Sequence, residues 1–365
     1  MKVAIVTDSH AGIKNDISMM LDYQEKFFKN IFFPTLQARN ISTVFHLGDL
    51  VDRRKYINYN TAARTRKMFL EPASRYSTHI LIGNHDTTYK NTNEINALQE
   101  LVDRKYETIK IYSGPQEIEL GVGDRTKIML VPWIAPDIRD ATLKAIKRST
   151  ASICMGHLEL AGFLNNDGDD QKHGDDPAIF EKFDLVLSGH YHSKTSKGNV
   201  HYLGTPYQLT WGDYKNQKGF HILDTDTLKL EFIPNPHHLY FKFDYNDETM
   251  NLEMMKAQID AQPIEGVFVK IEVSKKTNPY IFDQYLAYVE SLKPYDLKVQ
   301  EFVEKPAGEE TEDLQSMEDT PTLIKTYIAG MIQSGQHQAV ESLILDLYKM
   351  SVAGVSIRNV EDQNS

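Results

Sequence analysis

Five short polar pieces constrain the folding of this 365-residue chain more than any other feature: Asp8-Ser9-His10, Gly48-Asp49-Leu50-Val51-Asp52, Gly83-Asn84-His85-Asp86, Gly156-His157 and Gly189-His190-Tyr191-His192. Each stands at or just beyond the end of a short apolar run. Runs at 3–6, 43–47, 79–82, 128–131, 152–155, 184–187 and 220–223 are rich in Val, Ile, Leu and Phe and are bounded by polar or Gly residues. That is the pattern of strands buried on both faces. Helix-like stretches at 18–39 and 61–69 separate the early runs, so an α/β core is expected. The later runs follow one another without long helices, as in an antiparallel edge or a second sheet. Groups at the carboxyl ends of strands converge in one crevice of an α/β sheet, and glycine lets the chain turn sharply beside a ligand.

The pieces carry Asp, His and Asn, with no sulfur. This donor set suits Mn²⁺, Fe²⁺ or Zn²⁺ better than Mg²⁺ alone, which rarely takes imidazoles. In Asp-X-His and His-X-His on extended chain, side chains two apart point the same way. Asp49 has two carboxylate oxygens and can bridge two ions. Taken singly, each piece is unspecific: Gly-Asp and Asn-His pairs are common in turns, and an isolated His-X-His is more often surface or core. Five in this order point to a shared metal site.

The formal net charge is −11 and the sequence pI about 5.6. A stand-alone DNA binder usually shows a basic footprint. A nucleic-acid substrate would therefore need metal ions, local basic patches or a partner to supply positive charge. A single cysteine, Cys154, excludes an intrachain disulfide and a thiolate cluster, and suits a reducing cytoplasm. The N-terminal apolar run is too short for a signal peptide. No stretch is long and apolar enough to span a membrane.

From about His237 the texture changes. Strand-like 239–243, helix-like 248–259, alternating 267–273, helix-like 280–292 and strand-like 297–302 read as a small α/β module of roughly 65 residues, a plausible separate domain. The organisation expected is a domain over 1–235, a cap over 236–305, an acidic linker over 306–320 and a helix pair over 321–352. The linker carries Glu309, Glu310, Glu312, Asp313, Glu318 and Asp319. In the helix pair, Leu323, Ile324, Tyr327 and Ile328 fall on one face and Leu343, Ile344 and Leu347 on another. Such faces need a docking partner, within this protein or outside it.

The order Asp-X-His, Gly-Asp-X-X-Asp, Gly-Asn-His-Asp, Gly-His, Gly-His-X-His resembles the calcineurin-like metallophosphoesterase superfamily. The resemblance covers roughly the first 235 residues and is specific as a set. It implies an α/β fold in which a β-sandwich is flanked by helices, with two divalent metals at one end. Carried over by motif, Asp8, His10, Asp49 and His192 would hold the first metal, and Asp49, Asn84, His157 and His190 the second. His85 would be the imidazole beside the leaving or attacking oxygen. A two-metal-activated hydroxide would then attack phosphorus, and His85 would protonate the departing oxygen. Asp52 could orient His85, or serve as a helix N-cap or turn residue. Arg53, Arg54 and Lys55 could grip DNA phosphates, or form a solvated loop.

Among relatives, the cap-like module, the linker and the helix pair favour a nuclease. The whole order is similar to the nuclease subunit of double-strand-break repair complexes of the SbcC–SbcD type, with length and spacing nearest its phage-encoded members. That implies a DNA exonuclease and endonuclease using Mn most readily (Mg, Fe or Zn otherwise). It also implies that the cap over 236–305 binds and helps place DNA, that the tail helices bind an SMC-like ATPase partner, and that the protein acts in the host cytoplasm. Dimerisation through helices near 61–69 and 93–102 would follow, although Leu98, Leu101 and Val102 fit core packing equally well. One departure stands out: many cellular members carry a histidine where this chain has Asp52. Gly-Asp-X-Val-Asp-Arg is instead reminiscent of Ser/Thr protein phosphatases, which keeps a phosphoprotein phosphatase or small phosphodiesterase as an alternative. A non-catalytic DNA/ATPase scaffold is a further alternative, disfavoured because no ligand residue is missing.

Overall fold

The computed structural model describes residues 1–102, 106–121, 126–163 and 173–301. Met1–Phe302 form one compact unit. The first sheet is built from β1 (Lys2–Val6), β2 (Thr43–His46), β3 (Ser77–Leu81) and β4 (Ile109–Tyr112). The second is built from β5 (Gln116–Leu120), β6 (Thr126–Val131), β7 (Ile153–His157), β8 (Leu185–Gly189), β9 (Thr195–Lys197) and β10 (Val200–Tyr202). Strands β11 (Gly219–Asp224) and β12 (Lys229–Pro234) return to the first sheet, giving the order β12-β11-β1-β2-β3-β4 against β5-β6-β7-β8-β10-β9.

The two sheets form a sandwich, and strand alternation explains its layers. Val3, Ile5, Phe45, Leu47 and Leu81 meet Ile128, Leu130, Ile153, Met155 and Leu187 in the central core. The opposite faces are covered by helices. Ala4, Val6, Val44 and Ile80 pack against Met20, Phe27, Phe28 and Phe69. Met129, Cys154 and Val186 pack against Ile146, Phe180 and Phe183. Strands buried on both sides are the physical reason for the continuous apolar runs.

Two local features depart from the sequence expectation. The helices at 18–38 and 59–73 each contain a π-helical turn, Phe28–Phe32 and Arg66–Leu70. A proline follows each turn, Pro34 and Pro72. Proline lacks an N–H and crowds the preceding turn, so the ladder widens there instead of staying α-helical. The later strands form the expected second sheet, in which β6, β7, β8 and β10 run parallel between antiparallel edge strands β5 and β9, and β11 and β12 add antiparallel to the first sheet. Helix Arg139–Arg148, absent from the expected elements, makes the crossover from β6 to β7. Its signal in sequence is weak because only Thr142 and Ile146 are buried.

A third sheet, all parallel, contains β13 (Tyr240–Asn246), β14 (Phe268–Lys275) and β15 (Asp296–Glu301). Helices Leu252–Asp260 and Pro279–Ser291 make its crossovers, capped by the side chains of Asn251 and Asn278. They cover one face, where Phe243, Tyr245, Ile271 and Val273 pack with Met255, Phe282 and Tyr285. On the other face Tyr240 and Phe268 join the core that includes Phe27 and Tyr207. The linker and helix pair expected over 306–352 lie outside the described residues. Among the described residues no helix is long and apolar enough to cross a membrane.

Candidate active site

The polar pieces stand at the carboxyl ends of β1, β2, β3, β7 and β8, Gly156-His157 closing β7 itself and the others lying in or running into the loops that follow. The chain turns abruptly there: Asp8, His10, Asp49 and His190 all have positive φ. For non-glycine residues this conformation costs about 1–2 kcal/mol each, so surrounding bonds must enforce it. The loops after β1 and β2 are laced together by Asp8 N–H to Gly48 O (3.0 Å), His10 N–H to Asp49 O (3.0 Å) and Ala11 N–H to Leu50 O (2.9 Å). The Gln24 side-chain amide donates to the carbonyls of Ser9 and His10, each at 3.1 Å. Tyr207 Oη donates to Ser9 O at 2.7 Å. Asp86, fully buried, accepts the N–H groups of Gly83 (2.8 Å), Asp49 (2.8 Å) and Val51 (3.1 Å), tying the loops after β2 and β3. Gly48 has φ +101°, and a Cβ there would sit 2.5 Å from His157 Nδ1 and 2.9 Å from Gly83 Cα. Only glycine fits.

These restraints bring seven of the predicted residues together. Asp8, His10 and His192 form one group of converging ligand atoms, and Asp49, His157 and His190 another, each within 4.8 Å. Asn84 joins the second group, its Oδ1 lying 3.0 Å from His157 Nε2 and 2.9 Å from His190 Nδ1. Asp49 Oδ2 stands between the groups, 3.8 Å from His10 Nε2 and 3.3 Å from His157 Nε2. The tautomers follow from the outer partners. His157 Nδ1–H donates to Leu47 O at 2.8 Å, and His10 Nδ1–H to Asp52 Oδ1 at 3.2 Å. In their neutral form both rings then have Nε2 left as the inward-facing ligand atom, the arrangement in which an outer acceptor orients a metal-ligating imidazole. His10 Nε2 and His192 Nε2 are 3.1 Å apart. Two such nitrogens at that distance repel unless a proton or cation lies between them. The donor set thus fits divalent cations.

The electrostatics agree. Burial opposes a charged His10, yet the Asp52 hydrogen bond and the charges of Asp49, Asp52 and Asp8 outweigh it and lift its pKa to about 9. Burial likewise opposes the His157 cation, and Asp49 outweighs it, again to about 9. Burial would raise the Asp49 pKa, but His157 and His10 hold it well below the usual carboxylate range. Burial depresses His190 to about 3 and pushes Asp86 up to about 7. Carboxylates and imidazoles compressed this way want positive charge among them.

The remaining predicted residues are placed differently from one another. His85 N–H donates to Asp49 Oδ1 at 2.7 Å, and its ring Nδ1–H donates to the carbonyl oxygen of Asp52 at 2.6 Å. The expected carboxylate–imidazole pair is thereby split: the backbone of Asp52 orients His85, while its carboxylate bonds to His10. Arg53 is held by Asp16 (3.1 Å), Asn15 (2.7 Å) and the Tyr56 hydroxyl (3.0 Å). Arg54 and Lys55 line a cleft of about 330 Å³ with Tyr56, Tyr59, Arg66 and Ile95. Leu98 and Leu101 are buried in the core. The tail residues lie outside the described residues.

Several contributors had no role assigned from sequence. Asp86 belongs to a quoted motif. Gln24 was visible as a polar residue amid the apolar face Met20, Leu21, Tyr23, Phe27. Trp133, tilted over His190 at 5.4 Å, and Tyr207 carry no local signal.

Comparison with known proteins bears on the same residues. The family model described as calcineurin-like phosphoesterase matches residues 1–194. Exonuclease subunit 1 of Enterobacteria phage T4 is 32% identical over 331 residues, which is 90% of this chain and 92% of that protein. Two solved structures are similar at 14% identity. One is an archaeal phosphodiesterase (TM-score 0.32, 64% of this chain and 100% of its own). The other is a purple acid phosphatase from yellow lupin seeds, Lupinus luteus (TM-score 0.34, 65% of this chain and 46% of its own). The family match spans every donor up to His192 and the T4 relative extends across nine-tenths of the sequence, so the chain belongs to the calcineurin-like phosphoesterase family.

Proposed function

We propose that this protein is a metal-dependent DNA nuclease, exonuclease and endonuclease, acting as the hydrolytic subunit of a recombination and repair complex. The observation that carries the reading is the match to a phage exonuclease subunit, which runs far beyond the family domain that ends at residue 194. The donors support two divalent ions, one held by Asp8, His10, Asp49 and His192 and one by Asp49, Asn84, His157 and His190. Mn²⁺ suits the mixed carboxylate, imidazole and amide set, with Mg²⁺, Fe²⁺ and Zn²⁺ as competitors. When bound, such ions supply Lewis-acid charge for a phosphate and lower the pKa of water.

The protein's own groups do the rest. Asp49 sets the separation of the two donor sets. His85, its Nδ1 proton committed to the Asp52 carbonyl, has Nε2 left to hold or deliver a proton at the departing sugar oxygen. The Asp52 carboxylate fixes the His10 ring. Arg54 and Lys55 offer phosphate contacts beside the metal loop. Residues 236–305 serve as a cap beside the catalytic domain 1–235. The segment 321–352, expected as a helix pair, binds an SMC-like ATPase, and a second copy docks through the segments near 61–69 and 93–102.

The test is hydrolysis of end-labelled duplex and single-stranded DNA with Mn²⁺, beside an Asp49→Ala variant and a generic phosphopeptide. The expected result is DNA degradation that the variant lacks, without phosphopeptide turnover. Phosphopeptide hydrolysis without DNA cleavage would replace this reading with a phosphatase.

A further inference from the structure

His192 lies in the link between β8 and β9, and its backbone is gripped at the carbonyl. That oxygen accepts the N–H of Thr205 at 3.1 Å and the ammonium of Lys218 at 2.7 Å. Gly204, at φ +70°, packs its backbone against the same peptide: a Cβ there would lie 2.9 Å from His192 O and 3.1 Å from Lys194 N. Angle and space both require glycine. His190 is secured separately, its N–H donating to Asp8 Oδ1 at 3.0 Å and its Nδ1 lying 2.9 Å from Asn84 Oδ1.

Lys218 and its partner Asp213 are both buried, and Nζ lies 2.5 Å from Asp213 Oδ1. A buried ion pair is weak evidence for stability, because apolar side chains of similar volume pack as well or better. What the ammonium supplies, and an apolar chain does not, is a charged donor aimed at His192 O. The pair is itself firmly set. Asp213 Oδ2 accepts the N–H groups of Leu209 (2.8 Å) and Thr210 (3.0 Å). Gln208 ties this turn to β13: its Nε2 donates to Asp213 O at 3.1 Å, and its Oε1 accepts the N–H groups of Leu239 (2.7 Å) and Tyr240 (3.2 Å). The Lys218 backbone is fixed by Asn235 N–H, which donates to its carbonyl at 2.7 Å.

We infer that Lys218, set by Asp213, is a positioning residue for His192: it fixes the His192 peptide so that the ring completes the donor set of Asp8, His10 and Asp49. This rests on the two-ion reading above. His192 Nε2 stands 3.1 Å from His10 Nε2, a separation at which the two nitrogens repel in the metal-free protein. A freed His192 peptide relaxes that repulsion by letting its ring swing away, and the ion must then draw it back. The grip of Lys218 holds the ring in place beforehand. Because His190 has its own restraints, the effect is confined to the first donor set.

The experiment titrates the metal-free full chain with Mn²⁺ by calorimetry and records denaturant unfolding of the same samples. The proteins are the wild type, Lys218→Met, Asp213→Asn/Lys218→Met and Lys182→Met. The double variant leaves no unpaired carboxylate buried and serves should Lys218→Met not fold. Lys182→Met is the control, a lysine that likewise donates to carbonyls, those of Ile146, Lys147 and Ser149, ahead of β7. In both Lys218 variants one of the two ions is expected to bind about 10- to 100-fold more weakly, with the other unchanged and the control binding both as the wild type does. A lowered unfolding midpoint with both binding constants unchanged makes the pair structural only; it overturns the inference and leaves the two-ion reading standing. Equal weakening of both ions, or the same weakening in Lys182→Met, overturns the assignment to His192. Fewer than two ions in the wild type overturns the two-ion reading and the inference with it.

Discussion

The ring of His85 is anchored to Asp52 through the backbone: His85 Nδ1–H donates to the Asp52 carbonyl oxygen at 2.6 Å, while the Asp52 carboxylate turns away to His10 Nδ1 at 3.2 Å. Residue 52 therefore has two separable functions. Its carbonyl survives substitution and its carboxylate does not. Asp52→Asn is expected to weaken metal affinity about 10- to 100-fold, the usual effect of losing a group that orients a ligand, while turnover at saturating Mn²⁺ stays close to wild type. Metal titrations of activity read both quantities. A turnover loss at saturating metal as large as that of His85→Asn would show that the carboxylate acts on His85 after all.

Gln24 should matter although it touches no ligand side chain. Its amide secures the carbonyls of Ser9 and His10, between residues held at positive φ. Gln24→Leu removes one donor from each carbonyl and leaves each with another, Tyr207 Oη at Ser9 O and Ile13 N–H at His10 O, a cost of about 0.5–1.5 kcal/mol per bond, and loosens the His10 turn. A lower thermal midpoint and weaker Mn²⁺ binding are expected together. Unchanged metal affinity at reduced stability would confine Gln24 to packing.

Gly48→Ala tests the close approach of the β2 loop to His157. The substitution adds strain at φ +101° and a carbon 2.5 Å from the ring nitrogen. A loss of about 2–4 kcal/mol in unfolding free energy is expected, with loss of metal binding. A variant of wild-type stability would mean that the loop relaxes freely.

The metal-free protein should be acid-labile through buried neutral histidines. Burial holds His221 at about 3 and His79 at about 4. Their folded pKa values lie below the unfolded value near 6.5. The stability they contribute is therefore present above about pH 6.5 and drains away as pH falls toward the folded values. Denaturant unfolding in EDTA at pH 7 and pH 4.5 is expected to show a loss that His221→Leu reduces by about 2 kcal/mol. An identical loss in that variant would assign acid lability to other groups.

Much of the architecture was legible because both sheets are buried on two faces, which forces apolar runs such as Ala4–Val6 and its counterparts and places the polar pieces at their ends. The π-helical turns were not, because Pro34 and Pro72 sit inside otherwise regular amphipathic patterns, and how the ladder absorbs them depends on packing. The donor residues were visible as motifs, whereas the partners that hold their strained backbone, Gln24, Tyr207 and Asp86, come from segments that meet only in the folded chain. Asp52 shows a finer limit: sequence indicates a carboxylate near an imidazole but not which of two histidines it meets.

The central claim is that Asp49 joins two donor sets into one dinuclear centre. Titration calorimetry of metal-free protein with Mn²⁺, for the wild type and for Asp49→Ala, tests it most directly. The account predicts two ions per chain in the wild type and weakening of both in Asp49→Ala. A single ion in the wild type, or two bound with unchanged affinity in the variant, would contradict it.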